Sequence, residues 1–130
     1  GIDAVIIPEK GAAPINSDAI KTSAGALYNI KICKEKNLAH TVDFLQQSGV
    51  QVFASTEKAD KLIYELDFTA PCAIVMGNEE TGISKEVMHH SDEKMKLPIE
   101  GKTLSLNVSV ACGAIMYEAM RQKLNKNNIV

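Results

Sequence analysis

The stretch that decides the fold is LPIEGKTLSLNVSVACGAI, residues 97–115. It begins like the end of a strand, and Pro98 and Gly101 then predict a turn. From Leu106 to about Leu124, apolar residues recur at helical spacing, which predicts a helix. A polar loop therefore lies directly ahead of a helix N-terminus, where unpaired backbone N–H groups and the positive end of the helix dipole can hold a ligand.

The start of this helix carries more polar side chains than one cap requires, because Ser105, Asn107 and Ser109 are all residue types that cap helices. A second polar loop, GNEETGIS (residues 77–84), directly follows the apolar strand-like run CAIVM (residues 72–76). Loops that follow neighbouring parallel strands meet at one edge of a sheet. We therefore expect the two loops to line one crevice, and we predict that this crevice is the functional site.

The rest of the chain alternates between short apolar runs and helical patterns, which favours a parallel sheet. We predict an α/β domain, with a mostly parallel sheet and helices on both of its faces. Residues 55–68 are ambiguous and are interpreted as mostly irregular. The predicted strands cover residues 2–7, 29–33, 50–54, 72–76 and 94–97, and the predicted helices cover residues 17–27, 41 or 43 to 48, 84–90 and 106–124.

The sequence also predicts caps and apolar faces for three of the helices. Ser17 and Asp18 are expected to cap the first helix. In the second helix, Val42, Phe44 and Leu45 are expected to form the apolar face, with a C-terminal stop at Gly49. In the last helix, Ile115 and Met120 are among the residues expected on one apolar side, together with Val108, Ala111, Cys112 and Ala119.

Composition indicates a globular protein that is neither strongly charged nor rich in cysteine. With 130 residues and a net charge of −2, the chain has the size of one domain and lacks the basic stripe typical of nucleic-acid-binding proteins. No apolar run is long enough to span a bilayer, so the cytoplasm is the expected location. Cys33, Cys72 and Cys112 have no paired spacing and are interpreted as buried thiols, and no metal site is predicted.

Several common ligand-binding and catalytic patterns are missing from the sequence. Neither a dinucleotide-binding fingerprint nor a Walker loop follows any predicted strand, and no serine occupies a nucleophile elbow. His40, His89 and His90 lack metal-ligand spacing and are interpreted as surface or helix-end residues. A nucleotide-like ligand would therefore have to be held by backbone groups of less common loops.

The two polar loops carry a resemblance to a known family. IVMGNEETGIS (residues 74–84), followed by LPI (residues 97–99) and SLNVSVA (residues 105–111), resembles motifs two and three of the SpoU branch of the SPOUT RNA methyltransferases. TSAGAL (residues 22–27) is similar to a segment typical of bacterial 23S rRNA guanosine-2′-O-methyltransferases. The resemblance covers essentially the whole chain, residues 1–130.

This resemblance implies a fold and a cofactor that the residue pattern alone does not indicate. Members of the family have a deep trefoil knot in the C-terminal part of a parallel α/β domain, and they form homodimers, here expected through the C-terminal helix. They bind S-adenosylmethionine in the knot, mainly through backbone groups. In this chain the implied cofactor contacts are Ser55, Thr56, Gly77, Leu97 and Leu106.

The resemblance also implies a reaction, the transfer of a methyl group to a ribose 2′-hydroxyl of RNA. The expected substrate is a guanosine in 23S rRNA, and Glu79, Ser105 and Asn107 match the polar positions around the methyl group and the target ribose. Two alternatives stay open. One is a tRNA ribose 2′-O-methyltransferase of the same fold, and the other is a knotted module for cofactor binding or dimerisation without catalysis.

Two departures from the family pattern affect these expectations. Motif one, whose arginine is held to assist proton removal, would precede Gly1, as would any RNA-binding domain, and the only arginine present is Arg121. The fragment is therefore expected to keep the cofactor pocket but to be inactive or nearly so. Glu80 stands where many relatives have glycine, and we interpret it as an exposed acid that the loop tolerates.

Overall fold

A computed structural model describes residues 1–128, which divide into two compact units, Gly1–Thr41 and the residues from Val42 onward. The strands are β1 (Ala4–Pro8), β2 (Lys31–Glu35), β3 (Gln51–Ser55), β4 (Cys72–Val75) and β5 (Glu93–Met95). The α-helices are α1 (Ser17–Thr22), α2 (Leu38–Gln47), α3 (Lys85–His90) and α4 (Val108–Lys126). Short 3₁₀ helices lie at Ala26–Asn29 and Ile63–Glu65.

All strand pairs in the described residues are parallel, which confirms the predicted α/β class with parallel strands. The expectation of one sheet is wrong, because the described strands form two: β1 pairs with β2, and β4, β3 and β5 pair in that order. β2 carries Lys31, Lys34 and Glu35 and is mostly exposed. Such charged residues are unsuited to the interior of a larger parallel sheet, whose strands are apolar on both faces.

The helix predicted over residues 17–27 is shorter in the structure and is capped by a different residue. Asn16, rather than Ser17 or Asp18, is the cap, since its Oδ1 accepts a hydrogen bond of 3.0 Å from the Ala19 amide. Ala24 and Gly25 have φ angles of +53° and +80°. A right-handed helix cannot continue through this left-handed backbone, so α1 ends before it and the chain enters a 3₁₀ helix.

Helix α2 begins before Thr41, the earlier of the two predicted start positions. The side chain of Asn37 explains the earlier start, because its Oδ1 accepts a hydrogen bond of 3.2 Å from the His40 amide. Val42 is buried as predicted, whereas Phe44 is 68% exposed, so its assignment to the apolar face is wrong. Residues two apart point in different directions on a helix. Gly49, with φ of +85°, follows the helix end as predicted.

The hydrophobic core of the second unit forms between its sheet and α4. Phe53 of β3, Met95 of β5 and Ile115 of α4 are almost completely buried, and the rings of Phe53 and Phe68 meet edge to face at 5.2 Å. Met120 was predicted on the apolar side of this helix but lies outside the core, since it is 44% exposed. A position five residues after Ile115 is rotated well away from it on a helix with 3.6 residues per turn.

The segment between β3 and β4 is largely irregular, as predicted, but it contributes to both the core and the sheet. Ile63 and Phe68 are buried in the core, as are Ala59 and Leu66. Leu62 pairs with Lys96 in a parallel bridge, and the Ile63 amide donates a hydrogen bond of 3.0 Å to the Lys96 carbonyl. The segment therefore continues the sheet beyond β5 and covers its edge.

Cys33 does not match its predicted environment, whereas His90 does. Cys33 lies on the exposed strand β2, so the prediction that it is buried is wrong. Cys72 and Cys112 are half-buried, and this burial raises the pKa of each thiol. His90 lies at the end of α3 as predicted, with its Nδ1 at 2.6 Å from Oδ1 of Asp43.

Residues 1–128 contain neither a membrane-spanning helix nor a cluster of metal-ligating side chains. Within that range no helix is both long and apolar enough to cross a membrane. The same residues contain no group of three or more histidine, cysteine, aspartate or glutamate side chains that could hold a metal ion.

We expect Phe68→Ala to lower the free energy of unfolding by about 3–5 kcal/mol, because it leaves a cavity beside Phe53 in the core. Phe44→Ala is the matched control, since Phe44 is mostly exposed, and its effect should stay within about 0.5 kcal/mol. Urea denaturation followed by circular dichroism measures both values. Equal losses for the two variants would contradict the packing of Phe68 against Phe53.

Candidate functional site

The candidate site is a cleft at the carboxyl ends of the three strands in the second unit. Because β3 lies between β4 and β5 and all three run in parallel, the loops that follow them emerge at the same edge. These loops enclose a cleft of about 1160 Å³. Cavities that bind small molecules usually measure about 300–1,000 Å³, so this cleft has room for a cofactor-sized ligand.

The structure brings all eight predicted site residues together around this cleft. They come from three separate loops, and their roles as cofactor contacts or catalytic residues stay predictions. The loop after β3 supplies Ser55 and Thr56, the loop after β4 supplies Gly77 and Glu79, and the segment between β5 and α4 supplies Leu97, Ser105, Leu106 and Asn107.

Asn107 joins two of these loops through its side chain. Its Oδ1 caps α4 by accepting hydrogen bonds of 3.0 Å from the Ser109 amide and 2.5 Å from the Ser109 hydroxyl. The helix therefore begins at Val108, two residues later than predicted. The other end of the amide, Nδ2, donates a hydrogen bond of 3.2 Å to Oε1 of Glu79. One residue thus fixes both the helix start and the direction of the Glu79 carboxylate.

The loop after β4 closes on itself through backbone hydrogen bonds. Asn78 and Gly82 exchange two such bonds, of 3.2 and 2.8 Å. In addition, the side-chain Oδ1 of Asn78 accepts a hydrogen bond of 2.8 Å from the Glu80 amide. Glu80 is exposed and lies outside the left-handed backbone region. The loop therefore accepts glutamate at this position without backbone strain, in line with the interpretation of Glu80 as a tolerated exposed acid.

Gly77 is required by this closure. A Cβ atom at residue 77 would lie 2.8 Å from the carbonyl carbon of Gly82 and 2.9 Å from the amide nitrogen of Ile83. Both atoms belong to the backbone, so they cannot move aside as a flexible side chain could. The requirement for glycine here comes from the returning strand of the loop itself, in addition to any contact with a ligand.

The walls of the cleft combine apolar surface with carboxylates and lysines. Leu62 and Lys96 also line it, and neither is among the site residues predicted from the sequence. The helical spacing of apolar residues in the ambiguous segment 55–68 was the only signal for Leu62. The apolar lining includes Leu62, Met76, Leu97, Ile99 and Leu106, the carboxylates are Glu57, Glu79, Glu80 and Glu100, and the lysines are Lys58, Lys85 and Lys96.

We expect Gly77→Ala to distort the loop and to lower the free energy of unfolding by about 1–3 kcal/mol, as overpacking usually does. Amide exchange of Gly82, which donates to the Asn78 carbonyl, should accelerate in the same variant. Gly113→Ala is the control, because a Cβ there meets no atom within 4 Å and alanine favours a helix. NMR and urea denaturation measure both effects, and normal Gly82 exchange in Gly77→Ala would disprove the close-approach argument.

Residues 1–117 match the model of the SpoU rRNA Methylase family. The 23S rRNA (guanosine-2'-O-)-methyltransferase RlmB of Yersinia pestis is 38% identical over 123 residues, which cover 95% of this chain and 50% of that protein. The RlmB protein of Pseudomonas aeruginosa is 39% identical over the same shares. The chain thus spans about half the length of the curated relatives it matches.

Solved structures agree with this match. The A. aeolicus TrmH/SpoU tRNA modifying enzyme superposes with a TM-score of 0.84 at 32% identity, over 98% of this chain and 64% of that one. The SpoU methyltransferase AviRb from Streptomyces viridochromogenes, solved in complex with the cofactor AdoMet, gives a TM-score of 0.84 at 25% identity, over 93% of this chain and 48% of that one. From its sequence match and its fold, the chain belongs to the SpoU rRNA Methylase family.

Proposed function

We propose that the cleft binds S-adenosylmethionine and that the whole protein methylates the ribose 2′-hydroxyl of a guanosine in 23S rRNA, in the cytoplasm. The observation that carries this proposal is the convergence of three loops on one cleft, with Asn107 and Glu79 bonded across it. The names of the RlmB relatives and the cofactor in the AviRb complex support the substrate and the cofactor, respectively.

The residues of the cleft fit the chemistry of this cofactor. Leucine, isoleucine and methionine side chains offer apolar surface to an adenine ring, and Thr56 and Asn78 offer polar groups to a ribose. Carboxylates such as Glu79 and Glu100 suit the positive charge of a sulfonium. When bound, S-adenosylmethionine supplies a methyl group on a sulfonium, which is a good leaving group.

We assign the positioning of the target ribose to Glu79, Ser105 and Asn107. A side-chain amide carries two N–H hydrogens, and Nδ2 of Asn107 uses one of them toward Glu79. The second hydrogen is left to bind a ribose oxygen. Because Oδ1 of Asn107 also caps α4, the amide is held in one orientation before the substrate arrives. Such alignment of the attacking oxygen lowers the entropic part of the barrier.

The arginine of this chain does not take part in the cleft. Nε and Nη2 of Arg121 both lie 2.8 Å from the carboxylate of Glu118. Arg121 is not among the residues that line the cleft, and no other arginine is present in the sequence. We therefore expect these 130 residues to bind the cofactor and to transfer methyl groups slowly or not at all.

The domain, the knot and the dimer belong to the same proposal. We assign residues 1–130 to a SpoU-type catalytic domain whose chain between β5 and α4 completes a trefoil knot, and the superposition on SpoU structures supports this. For the dimer, α4 offers an apolar stripe made of Val110, Tyr117 and Met120, which are 58%, 74% and 44% exposed. An exposed stripe of this kind is typical of a protein interface, and a second copy is the proposed partner.

A tRNA substrate is the second candidate, because the A. aeolicus neighbour is a tRNA modifying enzyme. Transfer of a labelled methyl group by the full-length protein to 23S rRNA or to tRNA distinguishes the two. Labelling of rRNA alone supports the first proposal, and labelling of tRNA alone favours the second. Cofactor binding without transfer to either RNA would favour a module that does not catalyse.

We expect Asn107→Ala to weaken S-adenosylmethionine binding at least tenfold in isothermal titration calorimetry, because it frees the Glu79 carboxylate and the start of α4. Asn37→Ala is the matched control. It also removes a helix cap, here that of α2, at a similar stability cost of about 1 kcal/mol, but Asn37 does not line the cleft. Equal affinity losses in the two variants would contradict the assignment. If the unaltered chain binds no S-adenosylmethionine, the proposal that this cleft alone forms the cofactor site is wrong.

We expect Tyr117→Glu to convert a dimer into a monomer in sedimentation velocity, because it places a charge in the apolar stripe of α4. Tyr28→Glu changes a tyrosine of similar exposure, 77% against 74%, that lies outside α4, and it should leave the dimer intact. A monomeric unaltered chain, or a dimer that survives Tyr117→Glu, would contradict the proposed interface.

A further inference from the structure

Gln122 of α4 makes three hydrogen bonds through one half-buried side-chain amide. Its Oε1 accepts from the Phe68 amide at 2.8 Å, and its Nε2 donates to the Leu66 carbonyl at 3.0 Å. The same Nε2 donates to Oε1 of Glu118 at 2.8 Å. The first two bonds connect α4 to backbone that is more than 50 positions earlier in the sequence. Gln122 therefore clamps the irregular segment before β4 onto the last helix.

Glu118 fixes the orientation of this amide. Its side chain is 7% exposed and accepts two hydrogen bonds of 2.8 Å from Arg121. These bonds hold the pKa of Glu118 below its usual value, so the carboxylate is charged at neutral pH. An anionic acceptor beside Gln122 attracts Nε2 and excludes the flipped amide, in which Oε1 would face the carboxylate.

The clamped segment continues into one wall of the cleft. Leu62 lines the cleft and pairs with Lys96, which also lines it. The Ile63 amide donates to the Lys96 carbonyl at 3.0 Å, and the Lys96 amide donates to the Lys61 carbonyl at 2.9 Å. The segment from Leu62 to Phe68 is thus bonded to Lys96, directly after β5, at one end and to Gln122 at the other.

We infer that Gln122 is a positioning residue for the cleft: by clamping residues 66–68 onto α4 it holds the Leu62–Lys96 wall in place, although Gln122 itself does not line the cleft. Loss of the clamp removes the hydrogen bonds that join the segment to α4, so that only the core packing of side chains such as Phe68 holds it there. It also leaves the Phe68 amide and the Leu66 carbonyl without their partner. The wall then opens more often, and a ligand must order it on binding. The identity of that ligand rests on the proposed function, whereas the clamp does not.

The test compares Gln122→Met with two control variants. Methionine is as long as glutamine but cannot replace its hydrogen bonds. Gln47→Met makes the same change at an exposed position of α2. Val42→Ala removes buried volume from α2, away from the cleft lining, and serves as a variant that loses stability without losing the clamp. For each protein, NMR gives the amide exchange rates of Ile63 and Lys96, and calorimetry gives the dissociation constant for S-adenosylmethionine.

We expect Gln122→Met to accelerate exchange at Ile63 and Lys96 at least tenfold relative to Val52 in the central strand, and to weaken cofactor binding at least fivefold. Both controls should keep the affinity and the relative exchange rates of the unaltered chain. Unchanged relative exchange in Gln122→Met would overturn the inference, and so would faster exchange with unchanged affinity. If the unaltered chain binds no cofactor, the proposed function fails for this chain, and the exchange rates alone then decide whether the clamp exists.

Discussion

The parallel pairing of β3 with β4 on one side and β5 on the other is the constraint on which the site depends. A central strand with two parallel neighbours directs three loops to one edge, so residues far apart in sequence meet there. The apolar residues of β3, with Val52, Phe53 and Ala54 all buried, make this strand the centre of the sheet. The cleft is thus a consequence of strand order before any polar residue is considered.

Asn107, at the start of α4, has two roles. Asn107 satisfies backbone and side-chain groups of Ser109, and it also reaches across to Glu79. A serine or aspartate would cap the helix equally well, but neither has the amide N–H that bonds a carboxylate. Local helix chemistry explains a polar residue at position 107, whereas the contact with Glu79 explains why an amide suits it.

The two polar loops could be located from the sequence because their signals are local, whereas the roles expected of their residues came from the resemblance to the family. The apolar strand lies directly before Gly77, and the capping residues lie within a few positions of the start of α4. Both loops follow strand ends, as expected. The contributions of Leu62 and Gln122 could not be predicted in this way, since each depends on a partner more than 30 positions away. The same limit explains the single predicted sheet, because periodicity identifies strands such as β2 but does not assign their neighbours.

The close approach of Gly77 to the returning backbone of Gly82 separates two kinds of selection pressure on the loop. A descendant that loses its chemistry but keeps its fold must retain the glycine, since any side chain there collides with main-chain atoms. Glu79 is exposed and is held by a side-chain contact with Asn107, so the fold of such a descendant does not require a glutamate at this position. The glycine is therefore a marker of the fold, whereas under the role proposed for Glu79 the acid two positions later would mark retained catalysis.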